Sequence, residues 1–171
     1  YRSIETDIFA HAMERVTGKR LPQIISERLW VPMGAEEDAN ITLDSIGYGL
    51  ACGGVSASLR DLARFGDAML KEGLVNGKQV IPKKWVNDVR HGTHGLPLEK
   101  YFEKGHYRNQ FWVEDSNKGS HYCLGVFGQL IYVAPQSKMV AVKFSTWPTF
   151  RSEEFVTYTT RALHAIASEL N

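Results

Sequence analysis

Near residue 106 the spacing of apolar residues changes period, and that change constrains the fold more than any other feature of the chain. Before it, Ile4, Ile8, Ala12 and Val16 recur every four residues, as one face of a helix requires, and Gly18 follows where a C-cap belongs. Leu59, Leu62, Ala63, Phe65, Met69 and Leu70 form a second amphipathic stripe, opened by Ser58 and Asp61 as an S-x-x-D signal and closed by Gly73. Pro22 suits a first helical turn, with Ile25, Leu29 and Trp30 continuing an apolar face up to Pro32. Pro82 opens a short helix through Trp85, Val86 and Val89. After residue 106, segments 110–113, 129–133 and 139–144 are rich in aromatic and β-branched residues, with turn clusters at 115–119 and 135–138. This predicts a three-stranded antiparallel meander, followed by a final helix from about residue 153 through Leu163 and Ile166. Helices first and a sheet plus helix last read as α+β. Residues 1–106 form the helical and loop part and 107–171 the strands and C-terminal helix of one fold, with no strong linker between them.

Between these elements, residues 35–57 and 91–106 read as irregular. In the first, Gly47, Gly49, Gly53 and Gly54 suit a tightly turning loop wall. Asn76-Gly77 between short apolar pairs signals a tight hairpin turn.

The charge balance excludes some functions. Twenty Lys and Arg face nineteen Asp and Glu, a net charge of +1, which argues against a nucleic-acid or polybasic membrane-binding surface. No run of eighteen apolar residues is present, and the first twenty residues carry Arg2, Glu5, Asp7, Glu14 and Arg15, so neither a membrane span nor a signal peptide is visible. Cys52 and Cys123 are too few for a disulfide framework and lack CxxC spacing, so they read as free thiols.

A self-contained serine hydrolase announces its nucleophile by G-x-S-x-G or S-x-x-K. None of the ten lysines has a serine three residues before it, and Ser56 lacks the second glycine of a nucleophile elbow. His91 and His94, with His106 nearby, have a spacing that two metal-binding imidazoles could use. No carboxylate sits at a matching distance and the segment is glycine-rich, which favours a solvated loop. His121 beside Tyr122 is a functional candidate whose plain alternative is a polar residue opening a strand.

Three stretches then carry a resemblance: Tyr1-Arg2-Ser3, residues 51–66 (ACGGVSASLRDLARFG) and residues 125–133 (GVFGQLIYV). In this order they resemble the C-terminal part of the serine β-lactamase-like hydrolases, which include class C β-lactamases, D-alanyl-D-alanine peptidases and esterases. Residues 107–113 (YRNQFWV) and 29–34 (LWVPMG) bring the chain nearest to the 6-aminohexanoate-dimer hydrolase branch.

The resemblance implies a C-terminal fragment of a β-lactamase-like fold, with the Ser-x-x-Lys motif upstream in a missing N-terminal segment. Tyr1 and Ser3 would be the Tyr-x-Ser motif, the tyrosine exchanging protons with the nucleophile and the serine positioning lysine and substrate. Cys123-Leu124-Gly125 stands where class C β-lactamases have Lys-Thr-Gly, so the glycine survives and the cation does not. Val126 would supply an oxyanion-binding N–H, with Gly125, Gly54, Trp112 and His121 beside the substrate, core packing being the plainer reading of Trp112. Loss of the lysine makes an amide or ester a better substrate than an antibiotic carrying a carboxylate. No metal or organic cofactor is implied. The chain alone would be inactive, and the apolar surface a fragment exposes would favour self-association. The compartment is left open, and the competing reading is a non-catalytic binding or structural module with a decayed cleft.

Overall fold

The computed structural model describes residues 2–98 and 102–170. They fall into two compact units, Tyr1–Asp61 and Leu62–Asn171.

In the first unit, α1 (Ser3–Thr17) ends at Gly18, whose left-handed backbone (φ 67°) lets its N–H reach back to the Glu14 carbonyl. A short α2 (Leu21–Ile25) carries Pro22 in its first turn and continues as a π-helical turn over Ser26–Trp30. Ala10, Leu21 and Met33 are buried here. Glu14 accepts from the Leu21 N–H at 2.7 Å and pairs with Arg20 at 3.3 Å, fixing the corner between the helices. Residues 35–57 are largely irregular, as the glycines predict, apart from β1 (Asn40–Ile41) pairing with β2 (Val55–Ser56).

The start signal at Ser58 is real and does more than cap. In α3 (Leu59–Leu70) the Asp61 N–H donates to Ser58 Oγ at 3.2 Å. The fully buried Asp61 carboxylate accepts from the Ser58 hydroxyl and from the backbone N–H groups of Glu36 and Glu37.

In the second unit, β3 (Leu74–Val75) and β4 (Lys78–Gln79) flank the Asn76-Gly77 turn, both turn residues having positive φ as that hairpin requires. Then comes α4 (Lys83–His91). The sheet that follows has six antiparallel strands in the order β10-β9-β8-β7-β6-β5: β5 (Leu96–Pro97), β6 (His106–Arg108), β7 (Phe111–Asp115), β8 (Ser120–Leu124), β9 (Leu130–Ala134) and β10 (Met139–Lys143). The α+β class stands, and the three-stranded expectation is corrected to six. β5 and β6 are too short to show an alternating pattern and occupy part of the stretch read as loop. β8, with Ser120, His121 and Cys123, lacks the apolar run of an ordinary central strand because its polar side chains find partners inside the unit.

The register sorts the sheet into two faces. Trp112 stands opposite Tyr122, and Tyr122 opposite Tyr132, on the face covered by α5 (Glu153–Glu169) through Leu163. Val113 stands opposite His121, and His121 opposite Val133, on the other face. There Phe65 of α3 and Trp85 of α4 pack against Phe111, with ring centroids 6.5 and 5.6 Å away.

Candidate active-site elements

Of the residues singled out from the sequence, Tyr1 lies outside the described residues. Ser3 opens α1 and is exposed. Four residues on, and so on the same helix face, Asp7 does something no sequence pattern announced. Its Oδ1 accepts from the backbone N–H groups of Ala51 (2.8 Å) and Cys52 (3.1 Å), tying the glycine loop to the helix that carries Ser3. The loop closes on itself beyond that anchor: the Gly54 N–H donates to the Leu50 carbonyl at 2.9 Å, and the Gly54 carbonyl accepts from Thr42 at 2.9 Å. A side chain at Gly54 would run into the Leu50 carbonyl and Cβ, so the turn is open to glycine alone.

In the second unit, Gly125 and Val126 follow directly on β8. The chain makes a short 3-10 turn over Val126–Gly128 and re-enters the sheet as β9. The Gly125 N–H donates to the Gln129 carbonyl at 2.9 Å, and the Phe127 N–H to the Phe150 carbonyl at 3.0 Å. Among the described residues the Val126 N–H has no backbone acceptor, and Val126 is 45% exposed. A strand-end N–H left without a backbone acceptor is what binding to a developing oxyanion requires. Phe127 adopts φ 54°, unusual for a bulky side chain, which makes this turn the kind of strained backbone that clusters at functional sites.

The remaining candidates are divided by the sheet. Trp112 belongs to the cluster beneath α5 with Tyr122, Tyr132 and Leu163, and its ring meets Tyr107 edge to face at 5.0 Å. His121 is on the opposite face, 1% exposed, with Nδ1 on the Gly119 carbonyl at 2.8 Å and no partner for Nε2 among the described residues. Burial, with Arg90 and His91 adding positive charge nearby, pushes it down to about 4, so the ring is neutral at physiological pH. Trp112 and His121 therefore do not face one common space. Cys123, where a cation would receive a carboxylate, carries a thiol that burial pushes up to about 12, so it supplies no charge.

The histidine spacing that suggested a metal resolves into backbone contacts: His91 Nδ1 meets the Ser116 carbonyl at 2.6 Å and His106 Nε2 the Val89 carbonyl at 3.0 Å. Among the described residues no group of three His, Cys, Asp or Glu is arranged to hold a metal ion, and no helix is long and apolar enough to cross a membrane.

Comparison with known proteins assigns the family. The Beta-lactamase family model matches residues 1–166. A 6-aminohexanoate-dimer hydrolase of Paenarthrobacter ureafaciens is 39% identical over 153 residues, covering 86% of this chain and 39% of that protein. A structure described as "Putative 6-aminohexanoate-dimer hydrolase from Bacillus anthracis" superposes with a TM-score of 0.88 at 32% identity, over 99% of this chain and 44% of that one. A third, described as a "putative beta-lactamase from Bacteroides dorei", has a TM-score of 0.60 at 15% identity, covers 89% of this chain and 54% of that one, and shares the fold. The chain thus spans about two fifths of the length of the curated relative. With the match running over nearly all its residues and the same architecture in the solved relatives, the chain belongs to the β-lactamase family.

Proposed function

We propose that this chain carries the tyrosine motif and the oxyanion strand of a serine hydrolase that cleaves amide or ester bonds by acyl transfer. The observation that carries the reading is the N–H of the exposed residue Val126, left without a backbone acceptor among the described residues after Gly125 at the end of β8. In the reaction a serine of a Ser-x-x-Lys segment outside this chain attacks the carbonyl carbon. Its proton passes to the lysine and Tyr1 side and then to the leaving amine or alcohol. The Val126 N–H donates to the oxygen that becomes negative, and water releases the acyl group with the serine proton restored. Cys123 offers no cation, so a carboxylate on the substrate is not received at this position. The name of the Paenarthrobacter relative, a 6-aminohexanoate-dimer hydrolase, makes a short amide of that kind the first substrate to try.

The partner of this chain is then the segment bearing Ser-x-x-Lys, and the 171 residues alone are inactive. Intact mass before and after a fluorophosphonate probe tests this. A longer gene product should gain one adduct while the 171-residue chain gains none; an adduct on this chain, or none on the longer product, overturns the reading. Val126→Pro tests the oxyanion role directly. Proline lacks the N–H, suits the first position of a helical turn, and follows Gly125 in an extended conformation (φ −108°, ψ 168°) that a following proline tolerates.

A further inference from the structure

We infer that Gln129 is a positioning residue for the reaction, holding the Val126 N–H at the place where the oxyanion forms. The inference rests on the reading of Val126 as that donor. Gln129 closes both ends of the turn: its carbonyl accepts the Gly125 N–H at 2.9 Å and its own N–H reaches the Val126 carbonyl at 3.4 Å. Its side chain does a second job. Nε2 donates to the Ser145 carbonyl at 2.5 Å while Oε1 accepts the Ser145 N–H at 3.1 Å, a two-way bond to the backbone just beyond β10. The side chain also passes so close to Gly125 that any Cβ there would stand 2.8 Å from the Gln129 Cβ. This explains why glycine occupies the position before the donor.

The rest of the 145–150 segment grips the same turn. The Phe127 N–H donates to Phe150, the Trp147 N–H donates to Phe127 at 3.2 Å, and Lys143 Nζ donates to the Gly128 carbonyl at 2.9 Å while lying 4.7 Å from the centre of the Trp147 ring. A turn with a bulky residue at φ 54° relaxes unless its surroundings over-determine it. Here the bonds from Ser145, Trp147, Phe150 and Lys143 do so, and none of them takes the Val126 N–H. Gln129 bonds to the turn through its backbone and to Ser145 through its side chain, so it sets the turn relative to the segment after β10.

Methionine has nearly the same shape without the amide, which makes Gln129→Met the central variant. In the gene product that joins Ser-x-x-Lys to this chain, kcat and KM for a p-nitrophenyl ester separate the roles. Val126→Pro should lower kcat about 100-fold, the loss typical of one oxyanion donor. Gln129→Met should lower it roughly tenfold with KM within twofold, because a displaced donor is felt in the transition state. The double variant should be no slower than Val126→Pro alone, since Gln129 then has nothing left to position. An unchanged kcat in Gln129→Met, or losses that multiply in the double variant, overturns the inference and leaves the oxyanion reading standing. An unchanged kcat in Val126→Pro overturns both. Should Gln129→Met fold poorly, Gln129→Glu, which keeps an acceptor for the Ser145 N–H but sets an oxygen against the Ser145 carbonyl, should lower kcat likewise, and an unchanged kcat there overturns the inference. In the 171-residue chain itself the Val126 amide resonance should move in Gln129→Met, and an unmoved resonance counts against the inference without any activity assay.

Discussion

Glu114 Oε1 stands 2.6 Å from His164 Nε2, joining β7 to the C-terminal helix α5. The same carboxylate accepts from Tyr122 and Tyr132, each at 3.2 Å, and from Ser120 at 3.1 Å, so three strands and a helix share one acidic side chain. Burial and the neighbouring carboxylate push both tyrosines above the ordinary phenol range, keeping them protonated donors. The cluster forms one wall of a cavity of about 550 Å³ on the α5 side of the sheet.

Removing the two partners should not cost the same. Glu114 is 15% exposed and His164 50%. Glu114→Ala takes the shared acceptor from two tyrosine hydroxyls and a serine, leaving Tyr122 only its 3.3 Å contact with His164, and should cost about 2–4 kcal/mol. His164→Ala removes a half-exposed contact and should cost under about 1 kcal/mol. Urea unfolding of the two variants measures this, and equal losses would refute the assignment of Glu114 as the hub.

His121 gives the fold an acid-sensitive group. Its folded value near 4 lies below the unfolded value of about 6.5. The unfolded chain therefore binds the proton more readily between these values, and the contribution of the neutral ring is complete above pH 6.5 and lost as pH falls through 4. The difference between the two values corresponds to about 3 kcal/mol. Unfolding free energies at pH 7 and pH 4.5 should show a drop in wild type that is smaller in His121→Phe; parallel pH profiles would remove His121 as the cause.

Buried Asp61 makes a comparable statement about α3. Asp61→Ala leaves the Glu36 and Glu37 N–H groups and the Ser58 hydroxyl without this acceptor, and should cost about 2–4 kcal/mol. Ser58→Ala removes the cap and one donor to the Asp61 carboxylate while the Glu36 and Glu37 N–H groups keep theirs, and should cost about 1 kcal/mol. Thermal unfolding of the pair tests the order, and a costlier Ser58→Ala would reverse it.

Half of this bond network was legible in the sequence and half was not, for a physical reason. The S-x-x-D signal, Gly18, Gly73 and Asn76-Gly77 act within a few residues, and so do the periodic stripes of α1, α3 and α5. Their structural consequences follow from local rules. The Asp61 contacts with Glu36 and Glu37, the Glu114 to His164 pair and the Gln129 bridge to Ser145 join residues 16 to 50 positions apart and depend on register, which a single sequence does not display. β8 was hard to see for the same reason: its partners lie across the sheet. At the site, Gly125 and Val126 could be singled out from family resemblance, but their place in a turn between β8 and β9 could not. The residues that brace them could not, and neither could the opposite facing of Trp112 and His121.

Asp7 provides the last prediction, since one side chain couples the glycine loop to the reactivity of a thiol. Burial, an Asp7 hydrogen bond and the Asp7 charge, in that order, raise the Cys52 thiol above its ordinary value and slow its conversion to thiolate. Asp7→Ala removes the last two causes and also frees the Ala51 and Cys52 N–H groups. Alkylation of Cys52 at pH 8 should therefore accelerate several-fold, with faster hydrogen exchange at residues 51–52. Cys123, held near 12 by burial alone, should label slowly in both forms and serves as the internal control. Peptide mass spectrometry distinguishes the two sites. If Cys52 accelerates and the exchange does not, Asp7 acts on the thiol through its charge. If both stay unchanged, Asp7 is not the anchor of the loop.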